Sequence, residues 1–210
     1  MKKGKYIVLE GPEGSGKGTQ KELLLEKLNG AGVPCIGVRE PGGTPLGEDI
    51  RKILKQYKKE SYSPEVELCL FNAARRNLFD KIIEPGLNQG KWIVSDRDST
   101  SSLAYQGFAG NVGLEETQGQ IEFATKGIKP DMTYLFLLNP EKGLSREEEG
   151  GRFTDKGQDY HQDVFKAYYR IGSTGIGDRE YHMMDISNMK ISQVEKSITK
   201  DISSRFNISL

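Results

Sequence analysis

Short apolar runs separated by longer stretches of helical periodicity extend along this chain. Residues 6–9, 34–38, 92–95 and 132–138 are apolar without alternation and bounded by glycine, proline or charge. Such runs predict strands buried on both faces. Residues 181–185 predict a weaker fifth strand. Between them, periodicity predicts helices at about 17–29, 46–57, 64–86, 99–106, 114–127, 140–148, 159–169 and 191–205. Gly30 and Gly32 stop the first, and Pro64 opens the third. Strands alternating with helices predict an α/β fold: a five-stranded parallel sheet with helices on both faces, a three-layer sandwich. No repeat, linker or low-complexity run divides residues 1–210, so one domain is expected.

The 64–86 helix departs from simple amphipathicity. Val66, Leu68, Cys69, Leu70, Phe71, Ala73, Ala74, Leu78, Phe79, Ile82 and Ile83 make it apolar nearly all round. A helix of that kind is covered on two sides. The sheet can supply one cover and a second subunit the other, so a homodimer through this helix is expected.

Composition narrows the partners. Lys plus Arg and Asp plus Glu are 30 each, so no net field draws the chain to nucleic acid or membrane, and any anion site must be local. No window is long and apolar enough to span a bilayer. Only residues 6–9 are apolar between the basic start and Glu10, too few for a signal peptide, and a cytoplasmic protein is expected. Cys35 and Cys69 lie in apolar segments without metal-type spacing and read as small core residues in a reducing compartment. His161 and His182 have unrelated surroundings, which gives no support to a histidine relay.

The chemistry begins at Gly11-Pro12-Glu13-Gly14-Ser15-Gly16-Lys17-Gly18-Thr19, between the first strand and first helix. This fits G-x-x-x-x-G-K, whose glycines turn backbone N–H groups toward phosphate oxygens while the lysine adds a full charge. The helix start contributes the positive end of its dipole. Ligands of parallel sheets sit beyond the carboxyl ends of the strands. That rule gathers Arg39-Glu40 after the second strand and Asp96-Arg97 after the third. Asp96 reads either as a carboxylate organising Mg2+ through water or as a helix N-cap. Arg97 has the donor fork to grip a phosphate. Phe71 and Arg75 share a helix face at i,i+4 and could stack on and bond a base, or be a core ring beside a surface arginine. The segment Glu149-Gly150-Gly151-Arg152 reads as a mobile flap over phosphates or as an exposed loop.

Together these segments resemble the thymidylate kinase family, P-loop enzymes that phosphorylate dTMP to dTDP with ATP and Mg2+. The resemblance rests on residues 39–48, on Ser95-Asp96-Arg97 followed by residues 101–107, on Glu67 through Arg75, and on Pro130-Asp131. It implies a phosphate loop, Gly11 to Thr19, around ATP, with Lys17 at its β- and γ-phosphates and Arg146 on adenine. It implies Arg39 and Arg97 on the dTMP phosphate, with Pro41 in the same acceptor site, and Glu13 near the sugar hydroxyl or phosphate. Phe71 would stack on thymine and Arg75 would bond it, while Ser101, Ser102, Tyr105 and Gln106 would line the base and sugar pocket. A small lid, about 146–158, would carry Arg152 to the transferring phosphoryl group. Catalysis would then fall to Lys17, Arg97, Arg152 and Glu13.

Four positions depart from that pattern. Gly18 stands where a hydroxyl usually follows the lysine, leaving Thr19 one place on as a possible metal ligand. Asp98 replaces an aromatic or histidine, and Asn139 an aspartate. The lid holds few arginines beyond Arg146 and Arg152. Three alternatives stay open at this point: a kinase for another nucleoside monophosphate, a deoxynucleoside kinase, and a nucleotide-binding regulator without turnover.

Overall fold

The computed structural model describes residues 3–56, 60–146, 152–177 and 179–210. Five strands form one sheet: β1 (Tyr6–Glu10), β2 (Cys35–Arg39), β3 (Trp92–Asp96), β4 (Met132–Leu137) and β5 (Tyr181–Asp185). Their order is β2-β3-β1-β4-β5, with every pairing parallel. The helices are α1 (Lys17–Gly30), α2 (Pro45–Gln56), α3 (Pro64–Leu78), α4 (Glu84–Asn88), α5 (Ser99–Ser102), α6 (Leu114–Thr125), α7 (Pro140–Leu144), α8 (Gln158–Thr174) and α9 (Ile191–Phe206).

Strand periodicity explains the layers. Successive side chains of β1 point to opposite faces. Ile7 and Leu9 join Val94, Tyr134 and Phe136 against Leu24 and Leu28 of α1 and Val194, Ile198 and Ile202 of α9. Tyr6 and Val8 join Ile93 against Leu78, Phe79, Ile83 and Leu87. Leu135 meets Val164, Ala167, Tyr168 and Ile171, the inward stripe of α8. Fully burying each such side chain is worth roughly 1.5–3 kcal/mol. The chain crosses to one side of β1 for β3 and β2 and to the other for β4 and β5. The carboxyl ends flanking β1 are therefore a topological switch point, where ligands bind in open α/β sheets.

The helices expected at 64–86 and 99–106 contain turns that no 3.6-residue period predicts. The first passes through a π-helical turn, Phe79–Ile83, before α4, whose Pro85 has no N–H to give the ladder. The second is one α-helical turn followed by a π-helical stretch, Leu103–Ala109. Such widened turns concentrate at functional sites, and this one holds Tyr105 and Gln106. Helix α7 ends at Leu144, short of the expected 148. The flap residues Glu149-Gly150-Gly151 lie outside the described residues. Both cysteines are thiols; Cys35 is half-buried against the core, whereas Cys69 is exposed and is not the core residue expected.

Helix α3 packs on α2 and α6 but leaves one stripe open. Val66, 46% exposed, lies in line with the exposed Cys69 and Ala73, and Phe123 of α6 is 77% exposed.

Candidate active site

The phosphate loop is shaped by glycine. Gly11, Gly14 and Gly16 have φ of 143°, 66° and 79°, the left-handed half that other residues avoid. At Gly14 a β-carbon would also stand 2.1 Å from the Gly143 carbonyl oxygen, so α7 can abut the loop only across a glycine. Gly16 ends the loop and α1 begins at Lys17. The Lys17 ammonium is buried and donates to the Pro12 carbonyl (2.6 Å) and the Ser15 hydroxyl (3.0 Å). Burial, then the charge of Arg97, pulls its pKa down to about 8. A cation held so close to neutrality gains from any anion brought beside it.

Arg97, the residue after β3, has φ 71°, an outlier for a side chain of this size. Its guanidinium explains why the strain persists. One Nη donates to the Gly11 carbonyl (3.0 Å), the Ser101 hydroxyl (3.0 Å) and the Tyr168 hydroxyl (3.2 Å). The other reaches Glu13 Oε1 at 3.2 Å. Glu13 Oε2 accepts a short hydrogen bond from Tyr105. Burial acts to raise the Glu13 pKa, but Arg97, the Tyr105 hydroxyl and Lys17 outweigh it and hold it below the usual value.

Beneath Arg97 lies Glu10, at the end of β1 and fully buried. It accepts from the N–H groups of Gly11, Asp98 and Ser101 and from the Ser101 and Tyr168 hydroxyls, at 2.9–3.0 Å. Burial, then the Asp98 charge, raises its pKa to about 7 despite those donors. Glu10 thus ties the phosphate loop to the loop after β3. That loop is anchored again by Asp98, the side-chain N-cap of α5 through Thr100 N (2.8 Å). Arg179 pairs with Asp98 and bonds Ser99 Oγ at 2.6 Å. The capping role weighed for Asp96 therefore belongs to Asp98.

One cavity of about 900 Å3 opens at this switch point. It is lined by Lys17 and Arg97 at one side and by Phe71, Arg75, Ser101, Ser102, Tyr105 and Gln106 at the other, with Pro41, Asp96 and Arg146 between. Arg75 is 1% exposed, which removes the surface-arginine alternative. It bonds Glu40 Oε2 at 2.7 Å and the Ser102 hydroxyl at 3.0 Å. Phe71 is half-buried and meets the Phe153 ring at a centroid distance of 5.8 Å. Asp96 Oδ2 is 3.5 Å from where a Gly18 β-carbon would lie, so this carboxylate faces the start of α1 and Gly18 leaves the space between them open. Thr19 lines both this cavity and a second of about 820 Å3, beyond the phosphate loop. Arg146, which donates to the Gly14 carbonyl (3.2 Å), also lines both, and Ile186, Met189 and Ile191 complete the second.

Two expected residues lie elsewhere. Arg39 is turned outward, half-exposed and paired with Glu48 at 2.8 Å. Arg51 lines the cavity in its stead, fixed by the Pro41 carbonyl (2.9 Å). Burial, then the nearby Arg39 charge, lowers the Arg51 pKa. Sequence reasoning passed over Arg51 because it sits in a charged helix where solvated arginines are ordinary. Arg152 does not line the cavity that Lys17 borders. Its guanidinium pairs with Glu67 at 2.9 Å and lies 4.1 Å from the centroid of the Tyr62 ring. The physical reason is Glu67 itself, a fully buried carboxylate that demands cations. Nothing in the local pattern of Glu10 and Tyr168 separates them from ordinary strand-end or helix residues, and Glu67, part of the segment that carries the resemblance, has no role legible from its neighbours.

Comparison with known proteins identifies the family. The family model described as thymidylate kinase matches residues 9–198. A thymidylate kinase of Exiguobacterium sp. is 38% identical over 171 residues, 80% of this chain and 81% of that protein. One from Legionella pneumophila (strain Paris) is 36% identical over 199 residues, 94% and 89% of the two chains. One from Halalkalibacterium halodurans is 39% identical over 180 residues, 83% and 85% of the two chains. With a family match across residues 9–198 and relatives at 36–39% identity over most of its length, this chain belongs to the thymidylate kinase family.

Proposed function

We infer that this protein transfers the γ-phosphoryl group of ATP to the 5′-phosphate of dTMP, giving dTDP. The observation that carries the reading is the single cavity joining Lys17 and Arg97 to the Phe71, Arg75, Ser102 and Gln106 pocket. Phosphoryl transfer needs two phosphates held in line and their charge neutralised, with little covalent work by the protein. Lys17 and the loop N–H groups hold the donor phosphates, and Arg97 with Arg51 holds the acceptor phosphate between them. Phe71 stacks on thymine, and Arg75, Ser102 and Gln106 bond its edge. Glu13 and Tyr105 face the sugar, with Ser101 beneath them. The second cavity, where Arg146 meets Ile186, Met189 and Ile191, suits adenine.

The residues present fit a magnesium ion of the kind kinases use. Among the described residues no cluster of three or more metal-ligating side chains exists. Mg2+ typically takes one or two carboxylates and completes its shell with water and phosphate oxygens. Asp96, facing the space beside Gly18, would hold it through water, with Thr19 the nearest hydroxyl on α1. When bound, the ion neutralises charge on the donor phosphates.

A panel of monophosphates with ATP tests the substrate. dTMP should be turned over with a kcat/KM at least about tenfold above those for AMP, CMP and dCMP, the discrimination expected of one well-placed base contact. A preference for AMP would overturn the reading, and so would phosphorylation of deoxynucleosides in place of monophosphates.

The open stripe of Val66, Cys69 and Ala73 with Phe123 supports a homodimer through α3 and α6. Light scattering should give twice the 23.5 kDa chain mass. A monomer at micromolar concentration would count against it. Among the described residues no helix is long and apolar enough to cross a membrane. The two free thiols suit a reducing, cytoplasmic setting.

A further inference from the structure

Glu67 has no place in the chemistry above, yet it is a fully buried carboxylate in contact with a residue that lines the cavity. It belongs to α3, one turn before Phe71, and is fully buried. Oε1 accepts from Arg152 Nη2 (2.9 Å) and Lys156 Nζ (2.8 Å), and Oε2 accepts from Gln106 Nε2 (2.9 Å). Gln106 is itself buried and lines the cavity.

The consequence follows from what each group can offer. A carboxylate held between two cations accepts hydrogen bonds and gives none. A glutamine amide has a donating end and an accepting end, and either could face a base if nothing fixed it. Beside Glu67, the NH2 end must turn to the carboxylate. The carbonyl oxygen is then the end left for the cavity. An acceptor at that place suits a base edge that presents an N–H, as the imino edge of thymine or uracil does. A cytosine ring presents a lone pair at the same atom, and two acceptors facing each other with no water between them repel.

We propose that Glu67 is a positioning residue that fixes the polarity of the Gln106 amide, and thereby selects a pyrimidine with an N–H at N3 over one with a lone pair there. Arg152 and Lys156 serve the same end by holding the Glu67 carboxylate in place through Oε1. Phe153, between them in the chain, is carried onto Phe71 and Tyr105 at centroid distances of 5.8 and 6.3 Å. The proposal rests on dTMP being the acceptor and goes one step past it.

The test compares kcat/KM for dTMP and dCMP in the full-length protein. In Glu67→Gln the side chain can give as well as accept, so the Gln106 amide is free to turn. The dTMP to dCMP ratio should fall about tenfold, the weight of one buried hydrogen bond mismatched. Part of the fall should be a gain on dCMP, which a merely loosened pocket would not produce. Gln106→Ala should lower the ratio similarly, and the double variant should fall no further, since both changes remove one interaction. If Glu67→Gln does not fold, Gln106→Ala alone decides: an unchanged ratio overturns the proposal. An unchanged ratio in a folded Glu67→Gln overturns it as well. Wild-type protein that fails to turn over dTMP would instead remove the acceptor assignment itself, a result read before any variant.

Discussion

Replacing Arg97 by alanine should lower kcat for dTMP phosphorylation by about 10³-fold, the low end of what a catalytic arginine is worth in phosphoryl transfer. Three features make it the largest kinetic effect in the molecule. The guanidinium stands between Glu13, the Gly11 carbonyl, Ser101 and Tyr168, so it joins the phosphate loop to α5 and α8. It borders the cavity together with Lys17. Its backbone sits at φ 71°, a conformation that costs a non-glycine residue roughly 1–2 kcal/mol and needs compensation from the side chain. The alanine variant keeps the strained backbone and loses what stabilises it, and it leaves Glu13 and Glu10 without their nearest guanidinium.

A lysine at this position separates charge from geometry. Arg97→Lys restores one positive charge but cannot make the forked contacts by which one Nη reaches the Gly11 carbonyl and the other Glu13. Its kcat should remain more than about tenfold below wild type, since a lost bidentate contact costs well over 1.4 kcal/mol. Near-ultraviolet circular dichroism checks that both variants are folded. A folded Arg97→Ala with near-normal kcat would remove Arg97 from the reaction and leave it a structural clasp.

The parts of this site that were legible in the sequence are those with local causes. Gly11, Gly14 and Gly16 announce a backbone no other residue adopts easily, and all three have positive φ. An apolar run ending in Asp96-Arg97 marks a strand whose carboxyl end carries polar groups, and β3 ends there. What stayed hidden was closed by tertiary contact. Arg152, an arginine after two glycines, suggested a free lid cation, yet its partner Glu67 lies 85 residues earlier in the chain. Local pattern favours Arg39, at the end of a strand, over Arg51, in a charged helix, and only the path of α2 puts the second in the cavity. The π-helical stretch at Leu103–Ala109 shifts Tyr105 and Gln106 off the angles a regular helix would give them. No hydrophobic period encodes that shift, because it comes from packing on α6 and α8.

Arg75 should carry the largest stability effect. Among the described residues it is the largest fully buried side chain, and its ion pair with Glu40 is buried on both sides. Removing one partner of such a pair strands the other, at a cost of roughly 3–5 kcal/mol. Arg75→Ala should therefore lower the melting temperature by about 10 °C for a chain of this size. The sign of its pH dependence follows from Glu40. Burial raises the Glu40 pKa above 4.5, and Arg75 is the strongest influence opposing that rise. Without Arg75 the folded-state pKa climbs further, while the unfolded value stays near 4.5. Between those two values the folded protein binds the extra proton, so stability falls as pH rises through the window and returns as pH drops. The deficit of Arg75→Ala against wild type should thus shrink as pH is lowered from about 8 toward 5, measured by urea unfolding at each pH. Glu40→Gln in the Arg75→Ala background should recover part of the loss at pH 8 and flatten the profile, because an amide has no charge to strand. A deficit that is small, or constant across pH, would mean that water reaches Glu40 once the arginine is gone. Arg75 would then be held for the base alone, not as the buried counter-charge that fixes the loop after β2 to α3.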